Sequence, residues 1–337
     1  RYLVVGSVRK GGNKVRINVK LINTEDDTQI WSQNWDRSLD DIFEIQDEVS
    51  QKVAVIISPA LKLNELKRLD QKKNVNYSSW DEFLRGQSFY NKVNQTKGLA
   101  VKDQLELKRK AIAHCETSIS LDENFSEPHI IIAFCIIDFV FEPALAQDRE
   151  QNEIKLQKHA EKAVNLDPNN PDAIVASAIS LYVKQDTSRF VELIEKALSV
   201  NPNHPRSLQM YSMQLQREGE FDKAIAYVKQ AIDIDPASRY ELESWLIFCY
   251  IAKQDWDNAL VSINRSIEDT PHSRLFGFKA AVLALMGQLE ESKVWLEKYL
   301  SDRPEIKSLD DYKKVVPEMN EYLKTNLIKG MQLAGLS

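Results

Sequence analysis

Hydrophobic and polar side chains alternate along the first forty residues, which predicts β-strands. One series of apolar residues is separated by single polar residues and indicates a strand with one buried face: Val15, Ile17, Val19 and Leu21. An apolar run at residues 2–8 precedes it, and Lys10-Gly11-Gly12-Asn13 between the two has the composition of a hairpin turn. Residues 29–36 form a third candidate strand, with Trp31 and Trp35 on one face. The pattern predicts three antiparallel strands.

The apolar period changes after these strands. Ser38 followed by Asp41 resembles a helix-capping box, and Pro59 is expected to end or kink the helix. The helix carries one apolar stripe: Ile42, Ile45, Val49, Val53 and Ile56. Three strands and one helix cannot cover both faces of a sheet. We therefore expect the chain to be truncated at its front, and residues before Arg1 to complete this α/β unit.

The rest of the chain carries a recurring helix-ending signal. Leu166-Asp167-Pro168 is followed by four similar tripeptides at intervals of about 34 residues. These tripeptides end in Pro202, Pro236, Pro271 and Pro304. A period of 34 with two helices per unit is typical of tetratricopeptide repeats, in which each repeat buries its apolar face against its neighbours. The sequence predicts a mainly α fold: a tetratricopeptide-type α-solenoid preceded by the truncated α/β unit.

The fourth repeat shows the packing pattern most clearly. Ala224 and Ala231 in its second helix are small where two helices are expected to cross closely. Phe190 in the third repeat and Tyr299 in the sixth replace such small residues, so we expect wider packing there. The predicted organisation is an α/β domain at 1–66, a linker at 67–76, about six repeats at 77–306, and a capping helix at 307–337 that makes the solenoid end soluble.

Composition excludes several classes of function. The net charge is −6 and the isoelectric point is about 5.6, so we expect this segment to bind no nucleic acid. No apolar run has the ~20 residues that a membrane-spanning helix needs. The three cysteines lie far apart inside apolar helical segments and are expected to be buried free thiols: Cys115, Cys135 and Cys249.

No pattern of catalytic or metal-ligating residues is present in the sequence. Gly11-Gly12 lacks a following Lys-Ser/Thr and is interpreted as a turn, without a phosphate-binding role. The five histidines are distant from one another in sequence, and His204 and His272 beside prolines are expected to be solvated. We predict no enzyme activity for this segment, no cofactor and no metal ion.

The remaining candidate site is the concave face formed by the first helix of each repeat. The repeat pattern places nine residues there: Val175, Ile179, Tyr182, Gln209, Met213, Gln216, Phe248, Ile251 and Arg274. Only Arg206 and Arg274 are cationic, so a clamp for a terminal carboxylate is a weak hypothesis. Two alternatives remain open: the groove binds a partner protein or peptide, or it packs against the protein's own C-terminal segment.

The first sixty residues also resemble a known family. The resemblance lies in Gly6-Ser7-Val8-Arg9, Val15-Arg16-Ile17, Trp31, Asp36-Arg37 and Asp41-Ile42-Phe43. These motifs resemble the end of the TolB-amino-terminal-like domain of bacterial multidomain regulators. The closing stretch from Asn320 to Ser337 resembles the end of the members that carry a class III adenylate/guanylate cyclase domain, so we expect the natural C-terminus here.

The resemblance implies a function for the segment. It predicts a protein–protein interaction or regulatory module of a bacterial signalling protein, namely the non-catalytic C-terminal region of a class III cyclase. The alternative parent is a transcriptional regulator with a winged-helix domain. A cytoplasmic location is expected, or a periplasmic one if a membrane span lies upstream. The sequence predicts no oligomeric state.

Overall fold

The computed structural model describes most of the chain. It covers residues 2–24, 27–38, 41, 44–46, 48–49, 76–96, 99–236, 239–269, 271–316 and 320–337. Two compact units are present, Arg1–Asp81 and Glu82–Ser337. The predicted linker at 67–76 lies outside the described residues except for Asn76.

The N-terminal unit contains the predicted three-stranded antiparallel sheet. Its strands are β1 (Tyr2–Gly11), β2 (Lys14–Asn23) and β3 (Gln29–Ser38), in the order β1-β2-β3. Gly12 in the first turn has a φ of 58°, a left-handed conformation that glycine adopts without steric cost. The segment with alternating apolar and polar residues is therefore a strand, β2, which pairs with both β1 and β3.

One face of this sheet is covered by a helical segment that includes residues 44–46 and 48–49. Ile45 is fully buried against Val15, Val19 and Trp35. Ser38 is the last residue of β3 and pairs there with Lys14, and the residues that would follow it in the predicted capping box lie outside the described residues except Asp41. The predicted helix positions Ile42, Val53, Ile56 and Pro59 lie outside the described residues.

The C-terminal unit is helical. The helices are α1 (Tyr77–Gln95, which begins before the division), α2 (Val101–Leu121), α3 (Ser126–Phe141), α4 (Arg149–Leu166), α5 (Pro171–Val183), α6 (Thr187–Val200), α7 (Pro205–Arg217), α8 (Phe221–Ile234), α9 (Arg239–Lys253), α10 (Trp256–Asp269), α11 (Ser273–Leu285), α12 (Leu289–Asp302), α13 (Leu309–Val315) and α14 (Glu321–Ala334). A 3₁₀ segment, Pro143–Asp148, separates α3 from α4. Consecutive helices from α3 to α12 form the pairs of a tetratricopeptide-like solenoid, as the period of 34 predicts. Helix α2 also packs on α1, where an added Cβ at Gly86 would lie 2.7 Å from Cys115 Sγ.

Large residues at the small-residue positions are accommodated by their surroundings. Tyr299 of α12 faces Gly277 of α11, where an added Cβ would lie 3.2 Å from two ring atoms of the tyrosine. The missing side chain at position 277 makes room for the ring. Phe190 of α6 is buried and contacts Tyr182 of α5, with ring centroids 5.6 Å apart. In the sixth pair, the absence of a side chain at Gly277 thus compensates for the large ring of Tyr299 on the other helix.

The small residues of the fourth pair make a stability prediction possible. Ala224 and Ala231 of α8 are both completely buried. We expect Ala224→Leu to lower the free energy of unfolding by about 1 to 3 kcal/mol, because the added atoms must separate α7 from α8. Urea denaturation followed by circular dichroism measures the change. An unchanged midpoint would show that residue 224 does not lie at the closest point of the crossing.

Helix α14 returns to the first helices of the last two pairs. It packs against α11 and α9, and the side-chain amide of Asn326 donates a 2.8 Å hydrogen bond to the Ile251 carbonyl. Gly330 lies so close to α11 that an added Cβ would be 2.5 Å from the Ala281 carbonyl oxygen. Helix α14 therefore covers the face formed by α9 and α11. No helix in the described ranges is long and apolar enough to cross a bilayer.

Candidate functional site

Side chains of the first five pairs of helices, mostly from the first helix of each pair, line a cavity of about 570 Å³. We call their shared surface the inner face. The helices that contribute lining side chains are α1, α2, α3, α5, α6, α7 and α9. The lining residues are Tyr90, Val93, Gln104, Lys108, Phe134, Ile137, Asp138, Phe141, Ile179, Tyr182, Phe190, Arg206, Gln209, Met210, Met213 and Trp245. This cavity is the candidate functional site.

The structure places the nine proposed inner-face residues in different surroundings. Four of them line the cavity: Ile179, Tyr182, Gln209 and Met213. Four others are buried elsewhere: Val175, Gln216, Phe248 and Ile251. Arg274 is exposed and lines a separate pocket of about 200 Å³ beside α13. Only the first four are therefore brought together at the cavity.

Aromatic side chains form much of the cavity wall. They come from five helices and comprise Tyr90, Phe134, Phe141, Tyr182, Phe190 and Trp245. Phe141 and Tyr182 have ring centroids 6.5 Å apart, and Tyr90 stacks on Phe134 at 6.4 Å. Phe134 and Phe190 are almost completely buried. The wall therefore offers flat apolar surfaces held in place by packing.

A guanidinium group lies on this aromatic wall. Arg206 of α7 stands 3.9 Å above the centroid of the Phe134 ring, and its Nη2 donates a 3.0 Å hydrogen bond to the Tyr90 hydroxyl. Its Nε lies 3.7 Å from Asp172 Oδ1. Cation–π contact and hydrogen bonding fix the plane and position of the charge. The Tyr90 bond joins residues 116 positions apart in sequence and links α1 to α7.

A second charged pair lies at the edge of the cavity. Lys108 of α2 is 6% exposed and forms an ion pair with Asp138 of α3, whose side chain is half exposed. The same pair lines an adjoining pocket of about 220 Å³ on the side of Val101. Asp138 is the one charged residue in the apolar run at 130–141. The sequence gives no sign that its ion-pair partner is Lys108, which lies 30 residues earlier.

The surroundings of His204 differ from the prediction that its side chain is solvated. Its side chain is 13% exposed, and its Nδ1 accepts a hydrogen bond from the Ser207 backbone N–H, so it caps the N-terminus of α7. Its Nε2 lies 3.3 Å from Asp172 Oδ1. The expectation that His204 is solvated is therefore wrong. His272 is exposed, as expected.

Two histidines that are distant in sequence meet in the second pair of helices. His129 Nδ1 and His159 Nδ1 are 2.9 Å apart, so one of the two donates to the other. Burial lowers the pKa of each imidazole to about 4, and nearby Lys158 contributes to both shifts. The contact could not be predicted from the sequence, because the two residues are 30 positions apart and belong to different helices.

The histidine pair predicts a loss of stability in mild acid. Between about pH 6.5 and pH 4 the unfolded chain binds protons at His129 and His159 that the folded chain excludes, so the folded state loses stability as the pH falls. We expect each histidine to contribute a loss of about 1.8 kcal/mol between pH 7 and pH 5. Urea midpoints at both pH values measure it. The control is His129→Asn/His159→Gln, and an equal pH dependence in that variant would contradict the assignment.

The described residues offer little reactive chemistry. All three cysteines are buried and free, as expected, and burial raises the pKa of Cys135 and of Cys249 to about 12. Thiolate chemistry at neutral pH is therefore disfavoured. Within the described part of the chain, no group of three or more His, Cys, Asp or Glu side chains could hold a metal ion.

Comparison with known proteins supports the repeat architecture. The family described as "Tetratricopeptide repeat" matches residues 215–282. The structure of the APC/C hetero-tetramer Cut9–Hcn1 has a TM-score of 0.51 and 12% identity, covering 86% of this chain and 53% of that one. A thermophilic tetratricopeptide protein of Thermus thermophilus has a TM-score of 0.45 and 16% identity, covering 61% and 98%. At these identities the likeness concerns the fold alone.

One curated relative matches part of the sequence. It is "Putative adenylate cyclase 3" of Rhizobium meliloti (strain 1021), 29% identical over 105 residues. The match covers 31% of this chain and 18% of the relative. The matched segment therefore spans less than a fifth of that protein's length.

Proposed function

We propose that this chain is a non-catalytic interaction region that binds a partner protein through the inner face of its repeats. The observation that carries the proposal is the cavity, where half-buried side chains such as Met210 and Trp245 lie beside fully buried aromatic ones. Concave apolar surfaces of this kind are typical of sites that receive the anchor side chains of a partner. The partner would insert apolar side chains there.

The proposed parent is a larger bacterial signalling protein with a nucleotidyl cyclase domain. The partial match to the Rhizobium meliloti relative supports this parent, as does the resemblance of residues 1–61 to the TolB-amino-terminal-like domain. In this proposal the chain contributes binding and regulation, and a separate domain makes the cyclic nucleotide. Sequencing the whole gene that contains this segment tests the parent directly, because cyclase and winged-helix domains have different motifs.

A charged substitution in the cavity tests partner binding. Met210 lines the cavity and is half-buried, so Met210→Asp adds an unpaired charge to the apolar wall while water can still reach it. We expect at least a tenfold loss of photo-cross-linking from a probe at Gln209 to the partner, with a melting temperature within a few degrees of the wild type. Mass spectrometry identifies and quantifies the cross-linked partner in the native host.

The matched control carries the same change elsewhere on the repeats. Val294 of α12 is 62% exposed and does not line the cavity, so Val294→Asp should leave cross-linking unchanged. If Met210→Asp folds and its partner yield equals that of Val294→Asp, the partner contacts another surface. The proposed function of the inner face would then be wrong.

A further inference from the structure

The cavity is bounded along the inner face. The hydrogen bond between Tyr90 and Arg206 connects α1 with α7, and Trp245 of α9 contributes to the same wall. Beyond α9, helix α14 covers the neighbouring surface by packing on α9 and α11. A long peptide would have to displace one of these contacts to pass along the whole face. A compact ligand would not.

The volume and the wall of the cavity suit a flat ligand of small-molecule size. A volume of about 570 Å³ lies within the range of roughly 300 to 1,000 Å³ that is typical of small-molecule sites. Eleven of the sixteen lining side chains are apolar or aromatic, and six of these eleven carry aromatic rings. Aromatic walls favour ring systems through stacked and edge contacts. An aromatic ring system would contact this wall on several sides.

The charged groups of the lining are already paired within the protein. Lys108 forms an ion pair with Asp138. Arg206 lies 3.7 Å from Asp172 Oδ1 and donates a hydrogen bond to the Tyr90 hydroxyl. A charged ligand would have to compete with these contacts, or its own charge would lie unpaired against an apolar wall, which is unfavourable. The lining therefore disfavours an ion of either sign.

The hydrogen-bonding capacity that remains in the lining is neutral. The side-chain amide of Gln209 and the hydroxyl of Tyr182 have no hydrogen-bond partner among the described residues. The Gln104 amide donates a 2.8 Å hydrogen bond to the Leu99 carbonyl through its Nε2, which leaves its Oε1 as an acceptor. All three lining side chains are half-buried, so a ligand in the cavity can contact them. These groups suit a ligand that both donates and accepts hydrogen bonds without carrying a charge.

We propose that the cavity binds a neutral, planar aromatic compound that carries a hydrogen-bonding group such as an amide. The ring system contacts the aromatic wall, and the polar group bonds to the amide of Gln209. This function goes beyond partner binding, since it requires only the cavity and a free ligand.

Three probes of nearly equal shape test the proposal on the full chain. They are 2-naphthamide, which is neutral, 2-naphthoate, which is an anion, and 2-naphthamidine, which is a cation at neutral pH. Isothermal titration calorimetry should give one naphthamide per chain, bound about tenfold more tightly than either charged probe. A charged probe that binds as tightly as naphthamide would overturn the assignment of a neutral ligand. Binding of none of the three would overturn the ligand site altogether.

Two variants of α7 locate the bound probe. Gln209→Glu places a carboxylate in the lining with little change in shape. It should strengthen naphthamidine binding about tenfold, because an amidinium and a carboxylate form charge-assisted hydrogen bonds. Met210→Trp narrows the cavity and should abolish naphthamide binding. The control is Val294→Trp, because Val294 is 62% exposed and is not part of the lining, so naphthamide binding should be unchanged.

The outcomes distinguish this site from the proposed partner site. Naphthamidine affinity that does not rise in Gln209→Glu, or naphthamide binding retained in a folded Met210→Trp protein, would place the ligand elsewhere and contradict the proposal. Thermal unfolding followed by circular dichroism shows whether Met210→Trp folds. If it does not, Gln209→Glu decides, since residue 209 is half-buried and its shape is kept. The partner test reads cross-linking yield and the ligand test reads heat of binding, so either proposal can fail alone.

Discussion

Replacing Gly330 with leucine is expected to lower the free energy of unfolding by about 4 kcal/mol, because α14 can no longer approach α11. An added Cβ would already lie 2.5 Å from the Ala281 carbonyl oxygen and 2.7 Å from its Cβ. Both atoms are attached to the backbone of a packed helix, so neither can rotate away. Leucine adds three further carbon atoms in the same place. Denaturant titration followed by intrinsic fluorescence measures the change.

Gly330→Ala separates the clash from helix propensity. Alanine favours an isolated helix by about 1 kcal/mol over glycine, so a stabilised Gly330→Ala protein would mean that α14 does not rest on Ala281. We expect destabilisation smaller than that of leucine. Gln332→Leu is the control, since Gln332 is exposed on the same helix and its replacement should change stability by less than about 0.5 kcal/mol.

Arg265→Met is expected to destabilise the fifth pair of helices by about 3 kcal/mol, because it leaves a buried carboxylate without its ion-pair partner. Glu243 of α9 is completely buried and pairs with Arg265 of α10, whose side chain is 44% exposed. Among the described residues, Glu243 Oε2 has no hydrogen-bond partner. The arginine is therefore the principal described group that neutralises this charge. Thermal and urea denaturation measure the loss.

The second half of this test removes the carboxylate. The double variant Glu243→Met/Arg265→Met should recover most of the lost stability, since apolar replacement of a whole buried ion pair is commonly neutral. The control is Lys293→Met, which breaks an exposed pair with Glu290 and should cost less than about 0.5 kcal/mol. If the double variant is no more stable than Arg265→Met, the loss reflects the packing of the arginine stem and not the buried charge.

The repeat architecture could be predicted because its signals act locally. Pro168, Pro202 and Pro236 stop helices through their own covalent geometry, and their spacing therefore sets the period of the helix pairs. The sheet was predictable for the same kind of reason. A period of two in β2 and a Gly12 turn specify strand and hairpin without any distant contact.

The candidate site depends on contacts between distant segments, which a single sequence does not indicate. Tyr182 and Met213 could be placed on the first helices by the repeat pattern. Trp245, Phe134 and Phe190 reach the same cavity only because of how successive pairs rotate. The His129–His159 contact depends on how α3 and α4 pack within one pair, and the position of α14 depends on its packing against α9 and α11. Helical periodicity predicts which side of its helix a residue lies on. It does not predict which residues of a distant helix pack against that side.

The Tyr90–Arg206 hydrogen bond has a consequence for how the repeats come apart. An array whose units touch only their neighbours loses its end units first, one at a time. Here the first pair is joined to the fourth through this bond, and Tyr322 of α14 contacts Phe221 of the same fourth pair, with ring centroids 5.9 Å apart. Fraying from either end must therefore break a contact with the middle of the array. Both ends of the array are therefore coupled to the fourth pair, and local unfolding at either end removes a contact that the fourth pair makes.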